Sequence, residues 1–306
     1  YLNDIAADYS PGLIQTLSTI IGWIWKTMYD GITLDMEGLH RVKRAATRAP
    51  LVFVPCHKSH FDYLILNYLL FTNNMPCPHV AAGRNMAFWP VGTLFRKSGA
   101  FFLRRTFRGA KLYAAVFAAY VQMLIEQGVN IEFFIEGGRS RTGKLVLPKR
   151  GLVSILLEAF KNKVCRDLMF VPVYIGYDRL LEEGAILKEL EGRSKEKESF
   201  WQLMQARKVM KKRHGRVYVQ FAEPISVKDL TATIYPAMQD MDHTAFQAFG
   251  RNLSYRIINA INRVTVVTAQ SLVASAILNC PSTDFFFAGG EDAFLSRHLA
   301  AGPQFA

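Results

Sequence analysis

Cysteine is scarce in this sequence: Cys56, Cys77, Cys165 and Cys280 are the only four in 306 residues, and no two form a Cys-x-x-Cys pair. That spacing argues against zinc and dithiol redox motifs and suits a reducing compartment. Glycine (21) and proline (12) are too few for a collagen-like or low-complexity chain. No uncharged run reads as a bilayer span. Leu13 to Trp25 is too short, and Val264 to Thr283 is broken up by Thr265, Thr268, Gln270, Ser271, Ser275 and Asn279. No basic-then-apolar signal peptide opens the chain, and no internal repeat is visible. The first residue is Tyr1 rather than Met, so the chain is expected to be a piece of a longer protein. Acidic residues are short too. There are 25 against 37 Lys and Arg, for a formal net charge of +12, and not one lies between Asp62 and Glu126.

Half of the residues are hydrophobic, which excludes a disordered basic tail. A chain this apolar and this basic calls for an anionic partner: nucleic acid, a phosphorylated small molecule or an anionic membrane surface. Trp23, Trp25 and Tyr29, around the Leu13–Trp25 run, suit a membrane interface. A helix packed on its own domain explains the same pattern.

Between about residues 50 and 225, short apolar strands alternate with helical stretches. Strands are predicted at 51–54 (closed by Pro55), 79–82, 99–103, 130–135, 168–175 and 217–221. Helices are predicted at 61–71, 111–127 (stopped by Gly128), 152–161 and 201–213. The order implies a layered α/β domain. Residues 1–45 read as mainly helical, and those after about 240 as helix followed by a loose tail.

Three segments carry chemistry. The first strand ends in Cys56-His57-Lys58-Ser59-His60-Phe61-Asp62, at a strand's carboxyl end, where α/β sheets bind ligands. If Ser59 caps the next helix, Asp62 lies in its first turn and can accept from one nitrogen of His57, leaving the other as a base. A capped helix beside an incidental histidine is the plainer alternative. His60 has no carboxylate at the matching spacing. Cys56 points to the opposite strand face from His57 and reads as structural.

The second segment is the acid-free stretch, with Arg84, Arg96, Lys97, Arg104, Arg105, Arg108 and Lys111. Arg104 and Arg105 follow the strand GAFFL, so one of them is expected to face the crevice as a phosphate clamp. Ordinary surface charge and a lipid-facing patch stay open. The third is Phe134 to Lys144, FIEGGRSRTGK, in which two glycines expose backbone N–H groups and Arg139 and Arg141 add charge. Gly138-x-x-x-x-Gly143-Lys144 approaches a P-loop, but Leu145 replaces the Mg²⁺-binding hydroxyl and Pro148 interrupts the helix that should follow.

Taken together, HKSHFD (57–62), GAFFLRR (99–105), FIEGGRSRTGK (134–144) and FVPVYIGY (170–177) resemble the four ordered blocks of the glycerol-3-phosphate acyltransferases, in particular the bacterial membrane-bound type. The resemblance covers roughly residues 1–225 and implies a glycerolipid acyltransferase-like fold: a layered sheet flanked by helices, with helical N- and C-terminal flanks. The implied organisation is a membrane-interfacial helical segment over 1–45, an acyltransferase α/β domain over 46–230 and a mainly helical region over 231–306.

The implied reaction moves a fatty acyl group from acyl-CoA or acyl-carrier protein to the 1-hydroxyl of sn-glycerol-3-phosphate. His57 would be the base and Asp62 its orienting partner. Arg104, Arg105, Glu136, Arg139, Ser140 and Arg141 would surround the acceptor, and Pro172 would lie toward the donor. A backbone N–H at Gly137 or Gly138 would face the thioester oxyanion. Phe71, Phe88, Trp89, Phe101 and Phe102 are candidates to line an acyl groove. No cofactor and no metal are expected, and the implied setting is peripheral, on an anionic phospholipid membrane at the cytoplasmic face of the inner membrane. Lysophosphatidate acyltransferases share the His/Asp block but usually carry a shorter third block, so that acceptor is the alternative. A nucleic-acid-binding module remains a distant reading without a fold signature.

Overall fold

In the computed structural model, which describes residues 1–104, 106–107, 109–140, 142–182, 213–233 and 238–279, the chemistry-bearing loops gather on one edge of a single sheet. The chain divides into two compact units, Tyr1–Thr265 and Val266–Ala306. The positions 45 and 230 both lie within the first unit, and residues 231–306 are divided between the two.

The first unit runs α1 (Leu2–Ile5), α2 (Pro11–Met28), β1 (Gly31–Leu34), α3 (Met36–Ala46), β2 (Leu51–Pro55), α4 (Asp62–Thr72), β3 (His79–Gly83), α5 (Val91–Lys97), β4 (Ala100–Leu103), α6 (Lys111–Glu126), β5 (Ile131–Glu132), α7 (Gly151–Lys161), β6 (Met169–Tyr177), β7 (Arg216–Phe221), β8 (Ile225–Ser226), α8 (Val227–Thr233) and α9 (His243–Arg263). Of the second unit, α10 (Ala269–Leu278) is described, opened by a reciprocal capping box between Thr268 and Ser271.

The strand order is β1-β7-β6-β2-β5-β3-β4, with β8 pairing the start of β6. Strands β2 to β6 are mutually parallel, and β7 turns back antiparallel to β6. Helices cover both faces of a parallel sheet, so its strands read as unbroken apolar runs. Accordingly, all five residues of β2 and eight of the nine in β6 are buried. Central β2 lies between β6 and β5, so the carboxyl ends of all three open side by side on one edge.

Several sequence expectations change in detail. Strand β5 is two residues long rather than six. The N–H of Phe133 still reaches the Phe53 carbonyl at 3.1 Å, but the chain then leaves the ladder for the turn that ends at Gly137. Edge strand β1, four residues between two helices, was not expected within 1–45. Trp25 (3% exposed) and Tyr29 (2%) are core side chains packed on Phe61 and Tyr177, so of the three proposed interfacial aromatics Trp23 alone, at 59%, faces outward. Phe101 and Phe102 are likewise core, whereas Phe88 and Trp89 are exposed. Among the described residues, no helix is long and apolar enough to cross a membrane. The helix expected over 201–213 and the tail from 280 lie outside the described residues, apart from Arg213.

One buried acid has a measurable consequence. Glu132, fully buried in β5, accepts from Asn67 Nδ2 at 2.7 Å, and its Oε1 has no hydrogen-bond partner among the described residues. Burial raises its carboxyl well above the usual 4.5. Because the folded value is the higher one, the folded protein holds this proton more tightly. The stability it contributes is complete below about 4.5 and disappears as pH rises through the folded value. Glu132→Gln, similar in size and unable to titrate, is therefore expected to gain stability relative to the parent as pH rises from 5 to 8. Urea unfolding of both proteins at each pH measures the difference, and a difference independent of pH would contradict it.

Candidate active site

The backbone of His57 is held from both sides by the glycine–arginine loop. Its N–H donates to Glu136 Oε1 at 2.9 Å, and its carbonyl accepts from the N–H of Ser140 at 2.8 Å. The other oxygen of Glu136 accepts from the N–H of Val146 at 2.8 Å, so one carboxylate joins the end of β2 to both limbs of the loop. Burial raises the Glu136 carboxyl, and its two backbone donors oppose that shift.

The imidazole is oriented as completely as the backbone. Nδ1 lies 3.0 Å from Asp62 Oδ2, and one face of the ring stacks on Phe134 with centroids 3.9 Å apart. Asp62 is fully buried and His57 is 15% exposed at the side chain. The same Oδ2 accepts from the N–H groups of Lys58 (2.7 Å) and Ser59 (2.9 Å), while Oδ1 accepts from the Tyr177 hydroxyl (2.6 Å). Burial, followed by the charge of Asp62, pushes the Tyr177 phenol well above its usual range, which keeps it a donor. A carboxylate held by these donors at helix α4's first turn accepts the hydrogen bond of Nδ1–H and leaves Nε2 as the basic nitrogen. The assignment of Nδ1 as the protonated nitrogen follows from that hydrogen-bond network.

The capping box at Ser59 forms only by half. The Asp62 carboxylate does turn back to the Ser59 N–H, but the Ser59 hydroxyl accepts from the Phe61 N–H and donates to Glu182. Cys56 is structural: its Sγ accepts from the Ile175 N–H (3.2 Å) and donates to the Ile175 carbonyl (3.3 Å), and burial pushes the thiol up to about 12. A nucleophilic thiolate is not available there.

The remaining residues singled out in the sequence are distributed as follows. Ser140, buried, donates its hydroxyl to the Lys144 carbonyl at 2.5 Å and closes the loop. The Gly137 N–H already donates to the Phe134 carbonyl at 3.0 Å, so it is not an open oxyanion donor. Its part is conformational: φ is +64°, and a Cβ would stand 2.5 Å from the Lys149 side chain. Arg139 pairs with Glu182 at 3.3 Å. Pro172 lies inside the ladder beside Val54, its carbonyl accepting from the Ala222 N–H at 3.0 Å.

Arg104 stacks its guanidinium on Tyr113 (4.4 Å) and Tyr1 (5.2 Å). In the same acid-free stretch, Arg96 donates to the Asp4 and Ala6 carbonyls and Arg84 lies 3.6 Å from Asp4, so the N-terminal segment occupies two of those cations. Arg105 and Arg141 lie outside the described residues. Two contributors were missed in the sequence: Tyr177 and Glu182, which reach the histidine loop from 115 to 123 residues away. A cavity of about 450 Å³ lined by Phe160, Lys163, Cys165, Arg166 and Lys228 precedes β6, at the sheet edge opposite His57.

Among the described residues, no cluster of His, Cys, Asp or Glu is arranged to hold a metal ion. The geometry provides an oriented base beside a cationic loop, the equipment for taking a proton from an alcohol held by its anionic group.

The acyltransferase family model matches residues 34–176, and the model of the glycerol-3-phosphate acyltransferase C-terminal region matches residues 187–285. The glycerol-3-phosphate acyltransferase of Haemophilus influenzae (strain PittEE) is 39% identical over 283 residues, which make up 91% of this chain and 35% of that protein. That of Pseudomonas putida (strain GB-1) is 40% identical over 285 residues, 91% of this chain and 34% of that protein. Among solved structures, the 1-acyl-sn-glycerophosphate acyltransferase PlsC of Thermotoga maritima overlaps 83% of this chain and 79% of its own, with 14% identity and a TM-score of 0.42. By sequence, the chain is similar to the acyltransferases over residues 34–176. Within that class its similarity is to the glycerol-3-phosphate acyltransferases, and it spans about a third of the length of the curated relatives it matches.

Proposed function

We propose that this chain carries the catalytic region of a glycerol-3-phosphate 1-O-acyltransferase. The observation that carries the reading is the 3.0 Å contact of His57 Nδ1 with a buried Asp62 carboxylate, next to the Arg139-containing loop that holds His57 in place. Nε2 takes the proton from the 1-hydroxyl of sn-glycerol-3-phosphate as its oxygen attacks the thioester carbonyl. The carbon–sulfur bond then breaks, and the imidazolium returns the proton to the departing thiolate. The products are 1-acyl-sn-glycerol-3-phosphate and free CoA or acyl-carrier protein. Asp62 stabilises the imidazolium while the reaction passes through it.

The acceptor's phosphate is assigned to the arginines of the two basic segments, with Arg105 and Arg141 as the intended ligands beside Arg104 and Arg139. Neither the base nor the acceptor calls for a cofactor. The excess of positive charge suits an anionic phospholipid surface and an acidic donor such as acyl-carrier protein. On this reading the protein works peripherally at the cytoplasmic face of the inner membrane.

The test is a parallel assay of palmitoyl-CoA with radiolabelled glycerol-3-phosphate and with lysophosphatidate. Turnover of glycerol-3-phosphate in clear preference is the expected result. Preference for lysophosphatidate would move the assignment to the second acylation, and turnover of neither would end the acyltransferase reading.

A further inference from the structure

Glu182 stands five residues beyond the end of β6, outside the four sequence blocks, yet its carboxylate is completely buried against them. Oε1 accepts from the His60 N–H at 2.8 Å, from the Ser59 hydroxyl at 3.0 Å and from Arg139 Nη1 at 3.3 Å, and Oε2 lies 3.0 Å from the same hydroxyl. Ser59 also donates its N–H to Asp62, and Arg139 immediately precedes the residue that holds the His57 carbonyl. One carboxylate therefore joins the turn that carries the base to the loop that carries the arginine. The Arg139 side chain is 9% exposed.

We infer that Glu182 is a positioning residue for the anionic group of the acceptor: it fixes the Arg139 guanidinium in line with the turn bearing His57. The inference rests on the acyltransfer reading above. A guanidinium donates in one plane, so a charged partner on one of its terminal nitrogens sets the direction in which the whole fork points. Losing that partner loosens the direction of the fork, and a phosphate must restore it on binding. The cost falls on acceptor binding, because the donor thioester does not need this arginine.

Glu182→Gln retains the side-chain volume and an oxygen for the His60 N–H, and removes the charge facing Arg139. With the intact protein in phospholipid–detergent micelles, it is expected to raise the KM for glycerol-3-phosphate about tenfold while the KM for palmitoyl-CoA and kcat stay within about threefold. Arg139→Gln is expected to raise the same KM. Adding Glu182→Gln to it should then change that constant by less than about twofold, because the two act as one unit. Equal acceptor KM values in parent and Glu182→Gln protein would overturn the assignment, as would a parallel rise in both substrates' KM, the mark of a merely structural role. If Glu182→Gln does not fold, an acceptor KM unmoved by Arg139→Gln overturns it independently. Absence of turnover by the parent removes the acyltransfer reading and this inference together, whereas normal parent turnover with unmoved variant constants removes this inference alone.

Discussion

His57→Ala is expected to lower acyl transfer by about a thousandfold or more while the fold survives, since a positioned general base contributes on the order of 10² to 10⁴. Both halves of that expectation come from the geometry. The backbone of His57 is clamped by Glu136 Oε1 and the Ser140 N–H through main-chain atoms that truncation leaves untouched. The side chain adds one stacking contact with Phe134 and one hydrogen bond to Asp62, and it is not part of the sheet's apolar core. Alanine thus removes the proton acceptor but not the scaffold. Activity of the variant within tenfold of the parent, in the palmitoyl-CoA assay with glycerol-3-phosphate, would assign the base elsewhere. His60 would be the next residue to examine, because its N–H is already fixed by Glu182.

The fold was legible where burial on both sheet faces writes an unbroken apolar run. LVFV and LMFVPVYI became β2 and β6 nearly residue for residue, and the helix ending near Gly128 stopped where expected. It was less legible where tertiary contacts override local pattern. NIEFFI has the composition of a six-residue strand, but Phe134 is diverted to stack on His57 and the ladder ends at Glu132. Edge strand β1 is too short for any periodicity to declare itself.

The site divides along the same line. His57 and Asp62 are five residues apart, and a helix start brings such neighbours together, so the pair could be read directly. The clamp by Glu136, the hydroxyl of Tyr177 and the carboxylate of Glu182 arrive from 79 to 123 residues away. They depend on β5 and β6 flanking β2, a strand order that no local spacing encodes. The ambiguity left open at Trp25 and Tyr29 has the same origin: an aromatic at a helix's end looks alike in sequence whether it faces lipid or the core.

Asp62→Asn is expected to lower kcat by about two to three orders of magnitude with little loss of stability, and the contrast with Asp62→Ala shows why. Oδ2 receives two backbone N–H groups, from Lys58 and Ser59, and these would orient an asparagine amide with its oxygen toward them and toward His57 Nδ1. The amide nitrogen would then meet the Tyr177 hydroxyl, which can rotate from donor to acceptor. Every hydrogen bond survives in this arrangement, including the one that selects the tautomer. What disappears is the negative charge of a fully buried carboxylate beside the imidazolium. The loss should therefore fall on kcat rather than on either KM. Alanine instead leaves the Lys58 and Ser59 N–H groups and the Tyr177 hydroxyl without their acceptor, at roughly 1–3 kcal/mol for each group left buried and unpaired. That variant should unfold at distinctly lower urea concentration. Kinetics and urea unfolding of the two variants side by side separate chemistry from folding. An asparagine variant with parental kcat would show that the charge of Asp62 takes no part in the reaction, leaving it only the hydrogen bonds that hold the turn.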